Sequence, residues 1–155
     1  MKKVFMIVVL GLVLYGLIET NPRFFQSFAE QNTESDQLLE SAFKNRQNNL
    51  QVEGSGVVID ILPDDLQGSR HQRFIISLSS GQTILISHNI DLAHRIDSLR
   101  LGDTVEFFGE YEWNSKGGVV HWTHHDPEGH HEDGWLKTMD LLINNYKERV
   151  LKSKA

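Results

Sequence analysis

Apolar positions follow three different rules along the chain. Residues 4–18 are apolar or uncharged without interruption behind Lys2 and Lys3, the order of a secretory signal. The run is shorter than the roughly 20 residues that span a bilayer. It predicts a signal peptide over 1–29, or an anchor left in the inner membrane, with the remainder facing the periplasm or the medium. From 34 to 49 the sequence turns polar, with Leu38, Leu39, Ala42 and Phe43 at helical spacing. A short amphipathic helix or stalk inside a polar linker, 30–50, is the expectation.

From Gln51 onward the pattern changes to strand-length runs. Residues 57–62 are β-branched and stop at Pro63-Asp64-Asp65, 71–79 follow a polar loop, and 82–88 follow the Ser80-Gly81 turn. Behind Asn89 as a cap, Leu92, Ala93, Ile96 and Leu99 recur at helical spacing and predict one short helix. Two more strands are expected at 104–113 and 119–124, separated by a glycine-rich turn at 114–118. Strand, strand, strand, helix, strand, strand is the order of an OB-like fold, a small five-stranded Greek-key barrel. The barrel domain is expected over 51–135. Beyond it Leu136, Met139, Ile143, Tyr146 and Val150 step by three and four, predicting a C-terminal amphipathic helix over 136–155 that packs on the barrel or on the 34–49 helix.

Charge narrows the partners. The formal net charge of −6 conceals a stronger bias, since 51–135 holds five basic against fourteen acidic residues, a net of −9. Such a surface repels phosphate backbones, so nucleic acid is not an expected partner. With no cysteine in the chain, a metal site has to use histidine, carboxylate or water. Gly54-Ser55-Gly56 lacks the further glycine and the preceding strand of a dinucleotide loop, so no nucleotide cofactor is expected.

The chemistry concentrates in 119–135, VVHWTHHDPEGHHEDGW, which carries five of the eight histidines. In OB topology the third and fifth strands are parallel neighbours and the second runs antiparallel to the third. His71-Gln72, His88-Asn89 and 121–126 would therefore meet at one rim, bringing seven of the eight histidines together and leaving His94 on the helix. Alternation along the fifth strand places His121, Thr123 and His125 on one face, Trp122 and His124 on the other. Candidate metal ligands are His121, His124, His125, Asp126 and His131, for zinc or another divalent cation. His71 and His88 are candidate proton donors. His71, Gln72, His88, Asn89, Tyr111, Trp113, Trp122, Thr123 and Trp135 are candidate contacts for a ligand, the aromatics by stacking. No spacing among them matches a standard zinc signature or a zincin helix. A hydrogen-bonded rim without metal, and metal-free acid–base chemistry, remain open for the same histidines.

The phrases HQRF, SHNIDLAHRI, GDTVEFFGEYEW, HWTHHDP and the closing GW resemble a bacterial family of small exported proteins catalogued as domain of unknown function three-four-six-five. The resemblance spans about 54–135. Its pattern is matched at His71, Gln72, His88, Asn89, Gly109, Tyr111, Glu112, Trp113, His121, Trp122, Thr123, His124, Asp126, Pro127, His131, Gly134 and Trp135, and not at His94 or His130. The resemblance implies export and a shared site, and carries no reaction with it. An exported binding module with a His-rich rim, holding a divalent cation or a small oligomeric ligand, is the first expectation. The alternatives are a secreted metal-dependent phosphodiesterase or esterase and an accessory protein whose terminal helices dock an envelope partner.

Overall fold

The computed structural model describes residues 22–138, with one helix and six strands among them, so the chain is mainly β. The apolar run at 4–18 and the positions from Met139 onward, where the signal and most of the C-terminal helix are expected, lie outside the described residues. Among the described residues no helix is long and apolar enough to cross a membrane. Two compact units divide the chain, Met1–Glu34 and Ser35–Ala155.

Helix α1, Pro22–Lys44, starts on a proline, whose missing N–H costs nothing in the first turn. It ends in a Schellman pair, Arg46 N–H to the Phe43 carbonyl at 3.2 Å and Gln47 N–H to the Ala42 carbonyl at 2.9 Å. Arg46 takes the left-handed position of that cap, with φ of 53°. Within the second unit, Leu39 and Ala42 are fully buried. Buried Asp36 accepts hydrogen bonds from Ser79 Oγ and from the Ser80 N–H, fastening the helix to a hairpin turn.

The strands are β1 (Leu50–Asp65), β2 (His71–Ser77), β3 (Thr83–Asn89), β4 (Thr104–Glu112), β5 (Val119–His121) and β6 (Trp135–Thr138). β1 begins seven residues before the expected 57 and runs through the glycine pair. A Cβ on Gly54 would stand 2.8 Å from the Phe107 ring, and one on Gly56 2.9 Å from the Ser77 carbonyl. The glycines are there so that one long strand can pass close to both its partners. Its first half pairs antiparallel with β4 and its second half with β2, and Pro63 sits at a register shift. β2 pairs antiparallel with β3, β3 parallel with β5, and β5 antiparallel with β4. The pairings β1–β2–β3–β5–β4 thus return to β1. Phe74, Ile76, Ile84, Ile86, Val105, Phe107, Tyr111 and Val120 are completely buried on the inward positions of these strands and form the core with Leu39 and Ala42.

Two expected helical segments are corrected. Residues 90–103 form successive turns and no helix. Only one helical bond forms there, Ala93 N–H to the Asn89 carbonyl at 3.2 Å, because the buried Gln72 side chain takes both backbone groups of Ile96. Its Nε2 donates to the Ile96 carbonyl at 2.9 Å and its Oε1 accepts the Ile96 N–H at 2.8 Å. Residues expected to open the C-terminal helix are strand β6, paired antiparallel with β4 from Phe108↔Trp135 to Val105↔Thr138.

β5 and β6 lie along the same edge of β4. His121 is opposite Glu110 and Trp135 opposite Phe108, so only Gly109 of β4 separates them although residues 122–134 intervene. The histidine-rich stretch is therefore a loop thrown out of one nearly continuous line, an Ω-type excursion. Glycines seal its base. A Cβ on Gly134 would stand 2.0 Å from the Trp122 carbonyl oxygen and 2.5 Å from that of Phe108, and one on Gly109 2.4 Å from that of His121.

Candidate functional site

β4 turns Val105, Phe107, Gly109 and Tyr111 toward the core, and Glu106, Phe108, Glu110 and Glu112 the other way. His121 lies on that second side too, opposite Glu110 in register. The result is a group of three donors: one ligand atom each from Glu110, Glu112 and His121, all within 4.8 Å of one another. His121 Nε2 is 3.6 Å from Glu110 Oε1, too far for a hydrogen bond. It is shielded from solvent and has no hydrogen-bond partner among the described residues. Burial holds the His121 pKa below the ordinary histidine value despite the neighbouring carboxylates of Glu110 and Glu112, so its ring is neutral at pH 7, the form that ligates metal.

His131 closes the site from the loop. Its Nδ1 is 3.3 Å from Glu110 Oε2, and its ring stacks on Trp122 with centroids 3.7 Å apart and planes 17° from parallel. Trp122 reaches that position from a left-handed backbone conformation, φ 52°, which costs a non-glycine residue about 1–2 kcal/mol. The same φ ends β5 at His121. The alternation expected through 124 stops there, and Thr123 and His124 are both buried rather than facing opposite ways.

Asp126, a candidate ligand, is spent on the loop. Its carboxylate accepts the N–H groups of Glu128, His130 and His131 at 3.0, 2.6 and 2.9 Å. Those bonds, from Glu128 first and then His131, hold its pKa down at about 2. Asp133 in turn accepts the Asp126 N–H at 2.8 Å and His125 Nδ1 at 2.7 Å. The His125 and His130 side chains are largely exposed and pair with Asp133 and Glu128.

Behind this face lies a second, inward group. His88 Nε2 is 3.4 Å from the His94 carbonyl, an acceptor only, so that nitrogen carries the proton and Nδ1 accepts from Thr123 Oγ1 at 2.8 Å. Burial pushes the His88 pKa down to about 4. The His124 ring stands edge-on to that of His88 at 6.3 Å. His71 lies close enough to both His88 and His121 to influence their charge; its Nδ1 donates to the Ser69 carbonyl at 2.7 Å. His94 contributes its backbone carbonyl. Of the other candidate contacts, Asn89 Oδ1 caps Asp91 N–H at 2.9 Å, and buried Tyr111 donates to the Gly117 carbonyl at 3.2 Å. The tryptophan rings are occupied within the chain: Trp113 by Arg46 at 5.1 Å, Trp122 by His131, and Trp135 by Phe108 and by Lys137 at 3.6 Å.

The family model described as protein of unknown function (DUF3465) matches residues 23–144, taking in every strand and both histidine groups. The chain belongs to this family. No curated protein matches it significantly. In this DUF3465 chain the histidine-rich stretch alone does not point to Glu110 and Glu112, the carboxylates that complete the group that could hold a metal ion. The signal was the spacing in Glu110-Tyr111-Glu112, two carboxylates on one face of the strand expected beside His121.

Proposed function

We propose that this DUF3465 protein is an exported binding module, an OB-like barrel whose outer face holds a divalent cation through Glu110, Glu112 and His121, with His131 orienting Glu110. The observation that carries it is the solvent-shielded, unbonded His121 Nε2 at 3.6 Å from Glu110 Oε1. Ligands about 2.0–2.1 Å from a tetrahedral ion stand about 3.4 Å apart, so this spacing suits two groups sharing a cation better than two groups bonded to each other. Two carboxylates and a neutral imidazole balance a double charge. Among the described residues no lysine or arginine forms an ion pair with either glutamate. Nitrogen with oxygen donors favours zinc or a neighbouring transition metal over calcium or magnesium. The closed ring of strand pairings, with β3 and β5 parallel, supports the OB-like barrel. Export rests on Lys2 and Lys3 ahead of 4–18.

Three protein donors leave room for water on the ion, the arrangement of catalytic zinc, which favours metal-dependent hydrolysis as the second reading. Zinc titration of the untagged, chelator-treated protein by calorimetry tests the first. One equivalent bound, with a melting point that rises, is expected; saturation at 100 times the dissociation constant stabilises by about 2.7 kcal/mol. Absence of binding, or binding unchanged in Glu112→Gln, overturns the assignment. Turnover of aryl phosphodiesters or esters by the zinc-loaded protein would move the conclusion to the second reading.

A further inference from the structure

A cleft of about 620 Å³ opens between the turns after β3 and the base of the 122–134 loop. Pockets for small molecules run about 300–1,000 Å³. Its walls are Leu92, Ala93 and Ile96 on one side and Trp135 and Leu136 on the other, and His88, Thr123 and His124 also line it. His124 is only 4% exposed. Its Nδ1 is 2.8 Å from the His125 carbonyl. A carbonyl only accepts, so Nδ1 carries the proton and Nε2 is left as the ring's acceptor. The cleft therefore combines apolar walls with one acceptor that a donor can satisfy.

Charge excludes anions. Arg95 is the one lysine or arginine lining the cleft, and its donors are committed to Asp64 at 3.0 Å and to Asp97 at 3.0 Å. His88 stays neutral at pH 7, its two nitrogens engaged by Thr123 and the His94 carbonyl.

We propose that this cleft is a second binding site, for a small neutral molecule that has an apolar body and presents one O–H or N–H donor to His124 Nε2. None of the three donors of the cation site lines it. The isomers benzyl alcohol and anisole separate donor from body, since only the alcohol donates, and benzoate supplies the anion. Each is titrated into the full-length protein while the His124 ring and Trp135 indole signals are followed by nuclear magnetic resonance.

Benzyl alcohol is expected to bind at least tenfold more tightly than anisole or benzoate, and His124→Phe to abolish that preference. Ala93→Trp, which fills the cleft from its rim without touching the core, is expected to remove binding of all three and covers the case in which His124→Phe fails to fold. Glu112→Gln should leave the affinities unchanged, which keeps this site's failure distinct from that of the cation site. Equal binding of the two isomers, no binding of benzyl alcohol at its solubility limit, or binding that survives Ala93→Trp overturns the proposal.

Discussion

His121 and Glu110 face each other across the β4–β5 ladder with Nε2 3.6 Å from Oε1, close enough to share an ion and too far to bond each other. Removing either end should therefore act on metal affinity more than on folding. His121→Ala is expected to weaken zinc binding at least a hundredfold, beyond the 10–100-fold typical of groups that only orient ligands. His131→Ala, which frees Glu110 Oε2, should stay within that lesser range. Calorimetric titration of both variants checks the ranking, and equal losses would put His131 on the ion as well.

The loop depends on its closing glycine. At Gly134 an added methyl meets two backbone oxygens, those of Trp122 and Phe108, at 2.0 and 2.5 Å, and neither can rotate away as a side chain would. Gly134→Ala should cost about 3 kcal/mol or more, read from urea denaturation, and should cost zinc affinity too, because Trp122 carries His131 on its ring. A loss below about 1 kcal/mol would show that the base of the loop can shift.

Much of the fold was legible because β-branched and aromatic residues alternate over β2, β3 and β4 with burial that follows the alternation residue by residue. What could not be read had long-range causes. Leu92, Ala93, Ile96 and Leu99 have helical spacing, but Gln72, 24 residues away from Ile96, captures the backbone that a helix would need. Leu136 fits a helical stripe equally well, yet the open edge of β4 beyond Gly109 takes it as a strand. At the site, histidine density drew attention to the loop, where Asp126 serves the backbone. The carboxylates that complete the group come from β4, and only the pairing of β4 with β5 reveals them.

Gln72 offers a direct check on that clamp. Gln72→Leu keeps the volume but strands the Ile96 N–H and carbonyl, which should cost about 2 kcal/mol and speed amide exchange at Ile96 and Ala93 while β2 and β3 keep their protection. Because Ile96 and Ala93 line the cleft, benzyl alcohol should bind this variant more weakly. Unchanged exchange at Ile96 would mean the turns are held by something other than Gln72.

Stability should also carry the signature of His88. Burial lowers its pKa from 6.5 to about 4, so between those values the unfolded chain binds a proton there that the folded chain does not. The folded state is then fully favoured above pH 6.5 and loses stability as pH falls toward 4, by about 3 kcal/mol in all. His124 and His71 face the same ring and oppose its protonation, and His121, lowered by its own burial, adds in the same direction. Asp126, held near 2, works in a lower window, where acid removes the stability its ionised form provides. Urea denaturation at intervals from pH 7 to 4.5 should show the decline. His88→Gln, which retains a polar partner for Thr123 but cannot titrate, should lose most of it. Parallel curves for the two proteins would transfer the effect to His121 and its carboxylate neighbours.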